Sequence, residues 1–285
     1  MKKPLKQLCA GGALTLLAAM VQATCLTDVA VQALMDAYTA RQPAANPDDL
    51  SAADGECSRA RFLKLLDARF GAPVGYKAGL TNPAVQKRFG HDAPVWGALY
   101  GSMLLTSGAV VEANFGARPL FEADLLVRVS SAAINQAASP EDVLAAIDQV
   151  VPFIELPDLV VQEPAKLTGA AITAINVGAR LGVMGAPIGV VRNAEFSHAL
   201  RDMVTIVRAD GAELDRGRGS DVLEHPLNAV VWLVKDLARE GRALKPGDLV
   251  SLGSFSKLLP PKPGMAVTVQ YQGLPGNPVV NVSFR

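Results

Sequence analysis

An excess of either charge is missing from this 285-residue chain: 27 lysines and arginines stand against 27 aspartates and glutamates, and no basic block interleaved with aromatics occurs. That removes the electrostatic footprint of a nucleic-acid partner. Histidine is scarce, at three residues, and His91 and His198 have no companion at metal-ligand spacing. Cysteine is equally sparse, at three, which excludes a small fold built on disulfides. No Ser-His-Asp or reactive-cysteine signature stands out, and Gly217-Arg218-Gly219-Ser220 has neither the lysine nor the spacing of a phosphate loop. The apolar run Leu8 to Met20 is shorter than the roughly 20 residues that a membrane-spanning helix needs.

That run has another meaning. It follows the basic MKKPLK and precedes the small-x-small site Val21-Gln22-Ala23, so residues 1–23 are expected to be a signal peptide and the mature chain periplasmic or secreted. Cleavage takes away Lys2, Lys3 and Lys6 and no acid, which leaves a mildly acidic protein. Cys9 leaves too, and the remaining Cys25 and Cys57 can close a disulfide in an oxidising compartment, contributing roughly 3–4 kcal/mol in the loop-entropy picture. Two unrelated thiols are the other reading.

A hydrophobic content of 50% is enough to bury a full core. Leu26 to Ala40 and Arg59 to Phe70 carry apolar residues at three- and four-residue spacing and predict two helices joined by a polar, proline-containing stretch. Residues 24–74 thus form a small helical N-terminal region. From Gly75 to the end at 285, short β-type runs dominate, among them GYKAGL, LFEADLLVRV, MVTIVRADG and VVNVSF. Two helices interrupt them. One begins at Ser139-Pro140-Glu141-Asp142, with a cap, a first-turn proline and acids opposing the helix dipole, and runs to about Gln149. The other starts near Pro226 and ends before Gly241.

Alternation along Pro119 to Val129 sends Glu122 and Asp124 to one face of a strand. Two like charges flanked by apolar residues repel unless an exposed edge or a cation relieves them. A hard divalent cation does so, since it prefers oxygen ligands and keeps positions open for water or substrate; a solvated strand face is the alternative. Glu155 ends the apolar run VVPFIEL, where a bare acid is costly without a partner, and Asp158 beyond Pro157 reads as a loop residue.

The ordered motifs GYKAGLT, RPLFEADLLVRV, DQVVPFIELPDL, GRGSDVLEHPLNAVVWL and KPGDLVSLGSF resemble the 2-keto-4-pentenoate hydratase branch of the fumarylacetoacetate hydrolase superfamily, over about Gly75 to Phe284. The resemblance implies an α+β fold, a mixed β-sheet roll with the small helical region at its N-terminus. It implies magnesium or manganese held by Glu122, Asp124 and Glu155, with Asp124 standing where glutamate is usual. It also implies a short 2-oxo acid substrate, a role for Lys77 beside the substrate's carboxylate and 2-oxo group, a substrate-side role for Asn176, and assembly as a homo-oligomer. A lysine there can pair with a carboxylate and exchange a proton. Ser220, His225 and Asn228 are read as bracing the helix that follows.

Two positions depart from the family pattern. Pro94-Val95-Trp96-Gly97 carries valine where the branch has an acid, and Ile175-Asn176-Val177-Gly178 keeps the asparagine of a D-N-A-S run but loses the acid and the hydroxyl. General acid/base groups typically supply about 10²–10⁴-fold each. The leading expectation is therefore a metal-dependent hydratase of 2-hydroxy-dienoic acids, with two alternatives: an exported 2-oxo acid binding protein without turnover, and an acylpyruvate-type carbon-carbon hydrolase of the same fold.

Overall fold

The computed structural model describes residues 24–285, so the signal-peptide reading of residues 1–23 lies outside the described residues. Helix α1 (Asp28–Ala40) starts where the Thr27 hydroxyl accepts from the Ala30 amide. Helix α2 (Ala52–Phe70) begins well before the predicted Arg59, inside the stretch read as a linker. The cause is local: Ser51 and Asp54 cap the first turn reciprocally, satisfying two amide groups that helix termini leave orphaned. Asp54 also receives the Thr24 amide, and a Cys25–Cys57 disulfide with Cα atoms 5.4 Å apart ties the N-terminal segment to α2.

Five shorter or later helices follow: α3 (Pro83–Arg88), α4 (Pro140–Ala146), α5 (Gly169–Ala174), α6 (Ala194–Asp202) and α7 (Asn228–Arg239). The helix capped by Ser139 stops at Ala146 instead of Gln149, because the chain passes directly into a strand whose β-branched residues pair on both sides.

The strands are β1 (Gly75–Gly79), β2 (Val95–Leu99), β3 (Leu104–Thr106), β4 (Ala109–Val111), β5 (Glu122–Val129), β6 (Ile147–Leu156), β7 (Leu181–Met184), β8 (Ile188–Gly189), β9 (Val204–Ala209), β10 (Ala212–Arg218), β11 (Leu249–Ser251), β12 (Ala266–Gln272) and β13 (Val279–Phe284). One mixed sheet runs β2-β1-β11-β5-β6-β7-β3, with β8 also on β6; a second runs β10-β9-β12-β13-β4. In the larger sheet β5 and β6 are central and buried on both faces, which is why their sequences show so little polar alternation.

Tyr271 on β12 joins the two sheets. Its buried hydroxyl accepts from the Phe153 amide at 3.0 Å and lies 2.6 Å from the Phe153 carbonyl and 2.8 Å from that of Asp124. Burial pushes this phenol far above its ordinary range, so it stays a neutral donor fixing the middle of the β5–β6 pair. Among the described residues, no helix is long and apolar enough to cross a membrane.

Candidate active site

Register brings the chemistry together. Glu122 on β5 lies directly opposite Glu155 on β6, and Asp124 opposite Phe153, so the three carboxylates share a face. Lys77 on β1 aligns with Ser251 on β11, which aligns with Leu126 on β5, the same face as Glu122 and Asp124. In a flat sheet β1 and β6 would stand roughly 14 Å apart. Lys77 Nζ nevertheless pairs with Glu155 Oε1, so the sheet must coil around this face.

All four groups are buried: Lys77 is 3% exposed, Glu122 8%, Asp124 0% and Glu155 2%. Three carboxylates against one ammonium leave two negative charges in a water-poor space, a costly arrangement without a cation. Burial first, and then the charge of Glu155, hold the Glu122 carboxyl well above the usual carboxylate range and push Asp124 up to about 8. One oxygen, Glu155 Oε2, is buried with no hydrogen-bond partner, an orphan of the kind that marks a missing ligand. The charge deficit, the orphan and the all-oxygen donor set fit a hard divalent cation.

The fit is uneven across the trio. Asp124 Oδ1 accepts from the amides of Leu125, Leu252 (3.2 Å) and Gly253 (3.1 Å), while Oδ2 accepts only from the Ser251 hydroxyl. Oδ1 is saturated, and Oδ2 alone keeps a free lone pair. Among the described residues, the group of three carboxylates whose ligand atoms all lie within 4.8 Å of one another is a different one, Glu56, Asp236 and Glu240. Arg59 and Arg239 pair with those acids, so two of their three negative charges are already offset.

Lys77 has a second partner that composition could not reveal. Its Nζ donates to the Val177 carbonyl at 3.0 Å. Asn176, Val177 and Gly178 are consecutively left-handed, with φ of 56°, 52° and 66°. For a β-branched valine this conformation costs on the order of 1–3 kcal/mol, and packing must hold it. Asn176 supplies the clamp: its side chain accepts from the Ala98 amide at 2.7 Å and donates to the Ala98 carbonyl at 3.1 Å. A buried asparagine used in this way has one amide hydrogen left for a substrate. Gly97 makes the clamp feasible, since a Cβ there would stand 2.5 Å from the Asn176 carbonyl oxygen.

Val95 pairs with Gly79 across β1–β2, on the face of Lys77, and the space over Gly79 is filled by side-chain carbons of Val177 and Val95. Lys77 is therefore bordered by an apolar wall where an acid was the family expectation. Ile175 is buried at the end of α5. His225 has a structural arrangement: Nδ1 accepts from the Leu227 amide, so the proton sits on Nε2, 3.1 Å from the Ser197 hydroxyl and carbonyl. An imidazole in that tautomer cannot deprotonate Ser197. Asn228 binds the Leu223 carbonyl at 2.8 Å.

No family model matches the chain. Among curated relatives, the TodF product hydratase of Pseudomonas putida is 31% identical over 202 residues, 70% of this chain and 73% of that protein. The 2-keto-4-pentenoate hydratase 1 of Dechloromonas aromatica is 29% identical over 262 residues, covering 90% and 97%. The 4-oxalocrotonate decarboxylase of Pseudomonas putida is 28% identical over 201 residues, covering 70% and 74%. A solved 4-oxalocrotonate decarboxylase from Pseudomonas putida G7, complexed with magnesium and adipate, superposes with a TM-score of 0.80 over 93% of this chain and 100% of that one at 24% identity, and so shares the fold. A fumarylpyruvate hydrolase from Pseudomonas aeruginosa, in complex with Mn²⁺ and pyruvate, reaches 0.54 at 15% identity, covering 73% and 88%.

Proposed function

The chain belongs to the 2-keto-4-pentenoate hydratase branch of the fumarylacetoacetate hydrolase superfamily, and from that premise we propose a metal-dependent lyase that adds water to, or removes it from, a short 2-oxo acid in its 2-hydroxy-dienoic form. The observation that carries the reading is the face of three buried carboxylates opposed by one buried ammonium. Glu122, Glu155 and Asp124 through Oδ2 would hold magnesium or manganese. When bound, the cation supplies Lewis-acid polarisation of a 2-oxo carboxylate. Lys77, held between Glu155 and the Val177 carbonyl, orients the substrate carboxylate and moves the proton at Nζ. The valine wall keeps water from Lys77 except where substrate brings it.

That same wall favours a second reading. Val95 leaves no acid on the β2 side of Lys77, away from the carboxylate trio, to protonate a distal carbon, whereas decarboxylation needs only an electron sink and apolar surroundings for the departing carboxylate. Relatives of both names occur. Supplying the purified protein and Mn²⁺ with 2-hydroxypenta-2,4-dienoate in one arm and 4-oxalocrotonate in the other separates them. Loss of dienol absorbance identifies the hydratase and release of carbon dioxide the decarboxylase. Rates equal to a Glu122→Ala control in both arms leave the binding protein without turnover.

The compartment is part of the proposal. Residues 1–23 have the composition of a signal peptide, and N-terminal sequencing of the exported protein should begin at Thr24; an intact Met1 would contradict cleavage. Assembly as a homo-oligomer completes the reading, and light scattering on the purified protein tests it.

A further inference from the structure

A concave site of about 240 Å³ opens where α1 and α2 end, lined by Arg41, Arg69 and Arg180 together with Tyr38, Phe70 and Met103. None of its lining residues belongs to the carboxylate–lysine centre. Among the described residues, none of the three guanidinium groups lies within 4.0 Å of a carboxylate. Other arginines, among them Arg128, Arg201 and Arg216, each grip an acid; here three that do not are gathered around one cavity.

Charge can be counted here. Arg41 is the C-cap of α1 and Arg69 sits in the last turn of α2. Each helix C-terminus carries roughly half a negative charge, so the two together offset about one of the three positive charges. Burial raises the Tyr38 phenol to about 12, so it adds none. Asp158 acts on Tyr38 through its charge but does not line the cavity, and its oxygens are held by the amides of Ala117, Arg118 and Val160. A surplus of roughly one to two positive charges remains.

The geometry is also prepared. Arg180 is fixed, with Nε on the Phe115 carbonyl at 3.1 Å, one terminal nitrogen on the Tyr38 carbonyl at 2.6 Å and the guanidinium carbon 4.1 Å from the Tyr38 ring centre. Arg41 is held in a left-handed conformation, φ 56°, where glycine or asparagine is the easier residue. Guanidinium forks set around an aromatic floor match oxyanions bidentately.

We propose that this cavity is a binding site for a compact oxyanion of two negative charges, either a phosphate or a short dicarboxylate, independent of the catalytic centre. Isothermal titration of the full protein in metal-depleted buffer at fixed ionic strength, with inorganic phosphate in one arm and succinate in the other, tests it and distinguishes the two sources. Saturable binding of at least one is expected, weakened about tenfold or more in an Arg41→Gln/Arg69→Gln variant and unchanged in Lys77→Met. Both substituted arginines are exposed, so the variant should keep the circular dichroism spectrum and melting temperature of the parent. Absence of saturable binding of either anion to the parent overturns the proposal. So does equal affinity in the double-arginine variant, or loss of binding in Lys77→Met, which would move the anion to the catalytic face.

Discussion

At Asp124 a side chain one methylene shorter than glutamate decides what its carboxylate can touch. Oδ1 is taken by three amides and Oδ2 by the Ser251 hydroxyl, so Ser251 orients the oxygen left for a cation. Removing such an outer partner typically costs about 10–100-fold in metal affinity; Ser251→Ala is expected to weaken Mn²⁺ binding in that range by titration calorimetry, and an unchanged affinity would remove Asp124 from the ligand set. Glu122 carries the opposite lesson. Its carboxyl is raised by burial and by Glu155, so the ionised form destabilises the metal-free fold. Glu122→Gln should raise the melting temperature of the metal-free protein while abolishing turnover, a trade of stability against activity. Tyr271→Phe leaves the Phe153 amide without its acceptor, and chemical denaturation should show a loss of about 1–3 kcal/mol.

Among elements, the link between α6 and the start of α7 depends on a neutral histidine. Burial, the leading cause, lowers the affinity of His225 for a proton, and its Nδ1 must accept from the Leu227 amide. A group depressed in the fold stabilises above its unfolded pKa, about 6.5 for histidine, and loses that contribution as pH falls below it toward the folded value. Glu122 and Asp124, raised in the fold, act with the opposite sign in this window, so the His225 share is read as the difference in melting temperature between the parent and His225→Gln: the variant should be lower at pH 8, and the gap should close as pH falls to 5. The N-terminal helices have a covalent link instead: reduction of Cys25–Cys57, which closes a loop with a sequence separation of 32, should cost roughly 3–4 kcal/mol. Thermal denaturation with and without reductant measures it.

For the whole molecule, the two charge imbalances are opposite and separate. The carboxylate–lysine face sets three buried carboxyl groups against one ammonium inside a coiled sheet, while the arginine cavity holds surplus positive charge where two helices end. A ligand that binds only the folded state stabilises it by about 2.7 kcal/mol at a hundred times its dissociation constant. Saturating Mn²⁺ should accordingly raise the melting temperature of the parent and leave Glu122→Ala unmoved; an equal rise in both would place the cation elsewhere, for instance at Glu56, Asp236 and Glu240.

What the sequence determined by itself was what depends on neighbours along the chain. Alternation around Glu122 and Asp124, the capped start at Ser139-Pro140 and the amphipathic run after Pro226 are local patterns, so α4, α7 and the site-bearing strand β5 were legible, together with the family motifs. Local rules also contain the early start of α2, through Ser51 and Asp54, though glycine and acids masked it. Only the tertiary structure decided the rest, because it depends on pairing between distant segments. The coiling of the sheet brings Lys77 to Glu155, the left-handed Val177 presents its carbonyl to the same lysine, and Asn176 is drawn onto Ala98. Three arginines far apart in sequence meet around one cavity for the same reason: a charge shows its sign in the sequence, but whether it finds a partner is settled by the packing of the chain around it.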